Sequence, residues 1–254
     1  MKKKILAVAN QKGGVGKTTT VINLGASLSA AEIRVLIVDM DPQGNATSGL
    51  GFKRDEINPG IFETITQEAL IHDSIIKTKL KYLDLCPSTK SLASAEIEFL
   101  HWEDREKKLR LSLSSLENKY QYILIDCPPS LGYLTLNSLV AATSVLIPLQ
   151  CEYYALEGLS DLLDTFEEVR KYLNPMLELE GILLTMHDER TNLSNQIEKE
   201  VRELFRQKVF STVIPRNVKL GEAPSFGLPI ILYDIKSKGA ISYMNLAKEI
   251  LKNE

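Results

Sequence analysis

The stretch at 5–18, ILAVANQKGGVGKT, constrains the fold more than any other part of the chain. Ile5, Leu6, Ala7, Val8 and Ala9 form an unbroken apolar run with no helical stripe, the pattern of a strand covered on both faces of a parallel sheet. Lys12-Gly13-Gly14-Val15-Gly16-Lys17-Thr18 follows, and a helix pattern begins directly after it. A strand, a glycine-rich turn and a helix N-terminus in that order make a cradle for phosphate. Glycines let backbone N–H groups converge on an anion without Cβ clashes, and the helix dipole adds positive potential at the same point. There Lys17 supplies a point charge for the β- and γ-phosphates, and the Thr18 hydroxyl is placed to ligate Mg²⁺. The ordinary spacing, G-x-x-x-x-G-K-S/T, would put glycine at position 11. Gln11 stands there instead, and a second lysine, Lys12, heads the loop.

The next segments extend this start into a layered fold. Residues 18–31 read as a helix with Val21, Leu24 and Leu28 on one apolar stripe. Residues 34–39 then give a second buried strand that ends in Asp39 and, two residues on, Asp41. A strand–helix–strand unit of this length crosses over right-handed and lays its strands parallel. Ligands in such sheets sit at the carboxyl ends of the strands, where Asp39 and Asp41 emerge. Residues 122–126, Tyr-Ile-Leu-Ile-Asp, are a third buried strand closed by an aspartate, a Walker B pattern whose Asp126 holds Mg²⁺. Asp41 is placed to reach a water in line with the γ-phosphate, and Asp39, nearer the sheet, to support Mg²⁺ or the loop. The plain alternative for this pair is an Asp-Pro turn with side-chain capping.

Further strands are expected at 82–86, 145–149, 181–186 and 209–214, and helices at 94–119, 156–173, 193–208 and 241–254. Residues 44–81 read as a mixed loop and helix excursion without assigned chemistry. Trp102 and His101 read as packing residues. Strands and helices alternate to the end without a linker, so the expectation is one α/β domain over 1–254, with a doubly wound, mostly parallel sheet and helices on both faces.

Composition sets the class. The chain has 254 residues, 44% apolar and 25% charged, an ordinary globular balance. No apolar run approaches the length of a membrane span. Three lysines at 2–4 precede an apolar stretch, but the glycine-lysine loop interrupts it too early for a signal peptide, which points to the cytoplasm. Cys86, Cys127 and Cys151 are single and widely spaced, the pattern of buried free thiols rather than a metal site or disulfide framework. A net charge of −3 rules out a chain that is basic all over, yet leaves room for a local basic patch.

The KGGVGKT loop resembles the deviant Walker A box of the ParA/MinD group of P-loop ATPases. VDMDPQGNATSGLG at 38–51, IDCPPSLGYLTLNSL at 125–139 and VIPRNVKLGEAPSFGLPI at 213–230 are similar to segments of Soj-type ParA partition ATPases, and the likeness runs nearly end to end. The resemblance implies a P-loop NTPase fold and Mg²⁺-dependent ATP hydrolysis, slow without a partner. It implies nucleotide contacts from Lys12, Gly13, Gly14, Val15, Gly16, Lys17, Thr18 and Thr19, with Pro215, Arg216 and Asn217 packed on the adenine. Lys12 resembles the lysine that crosses a dimer interface to the partner's ATP, Lys17 the P-loop lysine, and Asp41 the water-activating aspartate. Thr18, Asp39 and Asp126 are the expected metal residues. Arg190 and Lys219 fall where the family carries basic residues that bind double-stranded DNA without sequence preference, and Lys236 and Lys238 would extend that patch, the plain alternative being a solvated charged surface; at Lys219 the family commonly has Arg, so bidentate geometry is lost. The implied partners are a second copy, nucleoid DNA and a ParB-type centromere-binding protein, with no membrane.

Two rivals make different demands. A MinD-like ATPase of the membrane surface needs an amphipathic, cation-rich C-terminal helix. Residues 241–254 carry Leu246, Ala247, Ile250 and Leu251 at helical spacing, but also Glu249 and no Phe or Trp, so a helix packed on its own core reads better. An electron-transfer ATPase resembling the nitrogenase iron protein needs cysteines placed to bridge a cluster, and Cys127 and Cys151 are poorly placed for that.

Overall fold

The computed structural model describes residues 3–116, 119–152 and 155–253. The first two residues, positions 117–118 of the expected 94–119 helix, and Glu254 lie outside the described residues. The strands are β1 (Lys4–Val8), β2 (Val35–Asp39), β3 (Ile76–Lys77), β4 (Leu83–Cys86), β5 (Tyr122–Asp126), β6 (Ser144–Gln150) and β7 (Glu178–Thr185). The helices are α1 (Lys17–Ala30), α2 (Asn45–Gly49), α3 (Ile61–Ile65), α4 (Ala95–Glu98), α5 (Lys108–Ser114), α6 (Tyr133–Ala141), α7 (Ala155–Tyr172), α8 (Asn192–Phe205), α9 (Val218–Glu222), α10 (Ile230–Tyr233) and α11 (Lys238–Lys252).

The strands form one seven-stranded sheet in the order β3-β4-β2-β5-β1-β6-β7. Every neighbouring pair is parallel except the β3–β4 edge. Successive residues of β1 serve opposite faces. Leu6 and Val8 join the layer of α1 and α11, while Ile5 and Ala7 join the layer of α5, α6 and α7. That double burial is why the strand shows no polar alternation. α1 leaves β1 on one face and α6 leaves β5, its neighbour, on the other. A crevice therefore opens at the carboxyl ends of these strands. The doubly wound α/β architecture is as the sequence reads.

Four local expectations need correction. α1 carries no single apolar stripe: Thr20 through Ser29 are all buried, because the helix lies between the sheet and α11. The expected 94–119 helix is broken. α4 and a 3-10 turn end at Trp102, whose extended backbone sets its ring edge-on to Phe99 at 5.4 Å, and Asp104 takes a left-handed φ of 50° before α5 begins. The ring's packing against the core overrides local helix propensity. The excursion at 44–81 holds an edge strand, β3, that the sequence reading lacks. Residues 209–214 do not complete a strand. They run beside β7 with bridges only at Val209 and Pro215, since the Ser211 and Thr212 N–H groups donate to the Glu249 carboxylate instead. Trp102 packs against the core as expected.

Candidate functional site

The loop between β1 and α1 is braced from three sides. Asn10 donates to the Pro148 carbonyl at 2.7 Å and accepts from Lys12 N at 3.0 Å. The Thr185 hydroxyl, at the end of β7, donates to the Val15 carbonyl at 2.8 Å. Gly14 and Gly16 hold φ of 77° and 90°, a region closed to most side chains. Gly16 caps α1 without a side-chain acceptor, so no cap side chain takes the first-turn N–H groups, which suits them to an anion.

A cavity of about 750 Å³ lies over this loop. Gly13, Gly14, Gly16, Lys17, Thr18 and Thr19 line one end of it, and Pro215, Arg216 and Asn217 another part of its wall. Asp41 faces the same space. The structure thus brings together three widely separated stretches of sequence. Val15 is buried and serves the loop through its carbonyl. Lys12 stays off the lining: its Nζ pairs with Glu152 at 2.7 Å on the rim, both side chains about half exposed, and Gln150 bonds the same carboxylate.

Two aspartates stand side by side in register, Asp39 on β2 and Asp126 on β5. Both are fully buried, yet their surroundings differ. Asp39 accepts from Thr47 N at 2.8 Å, Thr47 Oγ1 at 2.6 Å and Asp41 N at 3.3 Å. Through these bonds its oxygens anchor the turn after β2. Burial still pushes its pKa up to about 6, against the hydrogen bonds from Thr47. Neither oxygen of Asp126 has a regular hydrogen bond, although the Thr18 hydroxyl lies close enough to favour the charged form. Burial, reinforced by Asp39, raises its pKa well above the ordinary carboxylate range. Lys17 is 7% exposed and donates to the Lys12 carbonyl at 3.1 Å; burial lowers its pKa, with Asp126 opposing.

These residues fit Mg²⁺. A bare, buried carboxylate beside a threonine hydroxyl, next to a phosphate-sized cradle, is a site built for a hard cation that arrives with phosphates and water. Among the described residues no cluster of three or more His, Cys, Asp or Glu is placed to hold a metal by itself.

Further wall residues escape sequence reasoning. Gln43 and Asn45 follow Asp41, Pro129 follows Asp126, and Met186 follows β7. Leu220, Ala223 and Pro224 complete the part beyond Asn217. Their position after a strand end is the only signal that could have marked the first four.

The expected basic patch is less assembled. Arg190 stands on the loop after β7, 87% exposed, with Nε and Nη2 donating to Asp188 at 2.8 and 2.7 Å. Lys219, on α9, pairs with Glu222 at 2.9 Å and lies over the Tyr233 ring. Lys236 is exposed on the turn between α10 and α11. Cys86, Cys127 and Cys151 are free and buried; burial pushes the Cys127 and Cys151 thiols up to about 12, which leaves them inert. No helix among the described residues is long and apolar enough to cross a membrane.

Comparison with known proteins agrees with this geometry. A family described as an AAA domain matches residues 3–179. The chromosome partitioning protein ParA of Myxococcus xanthus is 57% identical over 99% of this chain and 89% of its own length. The sporulation initiation inhibitor protein Soj of Bacillus subtilis is 55% identical over 98% of this chain and 99% of its own. Among solved structures, a cobyrinic acid a,c-diamide synthase from Mycobacterium smegmatis with bound ADP and magnesium superposes with a TM-score of 0.87. It is 38% identical, covering 100% of this chain and 95% of that one.

Proposed function

The chain belongs to the ParA/Soj family of chromosome-partitioning proteins, and from that premise we propose that residues 1–254 act as one Mg²⁺-dependent ATPase domain that cycles on and off DNA. The observation that carries this reading is the bare, buried Asp126 beside Thr18 at the mouth of the phosphate loop.

Each residue has a task in that cycle. The N–H groups at the start of α1, with Gly14 and Gly16, receive the phosphates, and Lys17 neutralises their charge. Thr18 and Asp126 would hold Mg²⁺, which would supply charge neutralisation for the phosphoryl group. Asp41 orients the attacking water, and Pro215, Arg216 and Asn217 form the wall against the base. Lys12 leaves Glu152 and reaches the nucleotide of a second copy. Two cationic loops repel unless anions lie between them, so dimerisation waits for ATP. The dimer doubles the basic surface of Arg190, Lys219 and Lys236, which meets duplex DNA through its phosphates, tightly, without sequence preference and with strong salt dependence. A ParB-type partner stimulates hydrolysis, the dimer opens, and the protein leaves the nucleoid.

The MinD-like reading is not favoured. Tyr243, Leu246, Ala247 and Ile250 of α11 are buried against α1, so the apolar face a membrane would need is already covered.

DNA co-sedimentation tests the proposal, with wild type and the Arg190→Glu/Lys219→Glu double variant in ATP, ADP or no nucleotide at two salt concentrations. The expected result is binding in ATP alone, weakened by salt and abolished in the double variant. Absence of DNA binding with ATP-dependent dimerisation intact would overturn the DNA part of the cycle.

A further inference from the structure

The turn that carries Asp41 is held from outside by a residue with no part in the phosphate site. Arg54 lies in the 3-10 turn beyond α2 and sends its guanidinium back across residues 42–44. Nη1 donates to the Gln43 carbonyl at 2.9 Å, and Nη2 to the Pro42 carbonyl at 2.6 Å and the Thr89 carbonyl at 2.7 Å. Nε donates to the Ser88 carbonyl at 3.2 Å. One planar cation thus ties the turn after β2 to the segment after β4. No carboxylate among the described residues pairs with Arg54. Ser88 makes a second tie, its hydroxyl donating to the Asp41 carbonyl at 2.8 Å and its N–H to Thr47 Oγ1 at 3.0 Å. Gly44 completes the fit, since a Cβ there would collide with the guanidinium.

We propose that Arg54 is a positioning residue for hydrolysis, fixing through the Pro42 and Gln43 carbonyls the backbone from which Asp41 faces the cavity. The inference rests on the reading of Asp41 as the residue that orients the attacking water. A misplacement of about 1 Å in such a group costs on the order of 10²-fold in rate. The residues assigned to nucleotide binding, the loop at 12–18, Asp126 and 215–217, are none of them bonded by Arg54. A lysine keeps the charge but lacks the fork that spans two segments.

The test is steady-state ATP hydrolysis and nucleotide titration on the full chain, with Arg54→Ala, Arg54→Lys, Asp41→Ala and the Asp41→Ala/Arg54→Ala pair, plus amide exchange across 40–47. Arg54→Ala is expected to lower kcat on the order of 10²-fold, and Arg54→Lys roughly tenfold, with KM held within about threefold. Exchange rises across 40–47 and is unchanged in β1 and α1. Arg54→Ala adds no further loss when Asp41 is already alanine. Should Arg54→Ala fail to fold, the Arg54→Lys variant carries the same comparison. A wild-type kcat in the folded Arg54 variants beside an inactive Asp41→Ala overturns the role of Arg54 alone. A wild-type rate in Asp41→Ala overturns the Asp41 reading and this inference with it.

Discussion

The phosphate cavity and the basic corner beyond β7 hold their charges in opposite ways. Lys17 lines the cavity and Asp126 does not, yet both are buried, and Asp126 is without a regular partner. At the corner, Arg190 is 87% exposed and already held by Asp188, and Lys219 is held by Glu222. An unpaired buried charge costs several kcal/mol unless something compensates it, so its presence points to a ligand. An exposed ion pair contributes about 0–1 kcal/mol, so on the proposed DNA-binding reading a phosphate would replace the carboxylate at little cost. The first arrangement announces its ligand in the fold; the second gains meaning only when a partner arrives.

The largest effect that would break this contrast lies in the cavity. Lys17→Ala or Asp126→Ala is expected to weaken Mg²⁺–ATP binding on the order of 10²-fold, measured by calorimetric titration, because each removes a charged contact to phosphate or metal. Retained affinity in both would mean that the buried charges are structural.

Next in size, Asp126→Asn is expected to stabilise the nucleotide-free protein at pH 7.5 by about 1–3 kcal/mol while Mg²⁺-dependent binding is lost. The sign follows from the raised pKa. A carboxyl that keeps its proton to higher pH when folded begins to cost stability where the unfolded chain ionises, and the cost stops growing once the folded group ionises too. The gain over wild type is therefore absent below about pH 4, where Asp126 is protonated in folded and unfolded chain alike, and grows with pH above it. Asp39 follows the same rule on a smaller scale, its cost appearing as pH rises from about 4 towards its folded value of about 6. Asp39→Asn is expected to flatten the pH dependence of the thermal midpoint in that window, and an unchanged slope would contradict it.

The smallest effect is at the corner. Asp188→Asn frees Arg190 and is expected to raise DNA affinity in ATP a few-fold, within the roughly 1 kcal/mol of an exposed pair. The salt slope of binding should stay within about one phosphate contact of wild type. A gain of 10²-fold would make Asp188 a gate, and the corner would then resemble the cavity.

Much of the site is legible in the sequence because local chemistry compels it. Strand, glycine turn and helix in sequence leave Lys17 and Thr18 little choice of position. The strand ends at Asp39 and Asp126 follow from apolar runs that can only be buried. What escapes is whatever depends on a neighbour distant in the chain. The break at Trp102 depends on Phe99 and the core beneath it. The lost strand at 209–214 depends on Glu249, which takes two of its N–H groups. The excursion at 44–81 gave no chemical signal, because Arg54 acts on backbone carbonyls that no residue pattern records.

By itself the sequence determined the parallel α/β architecture and the glycine-lysine loop between strand and helix, since burial pattern and glycine geometry are properties of short segments. Only the tertiary structure decided which aspartate is free. Asp39 and Asp126 end similar strands in the same register, and the difference between them is Thr47, whose N–H and hydroxyl bond the first and leave the second bare. A carboxylate's role is set by what surrounds it, and that becomes known only when the chain has folded around it.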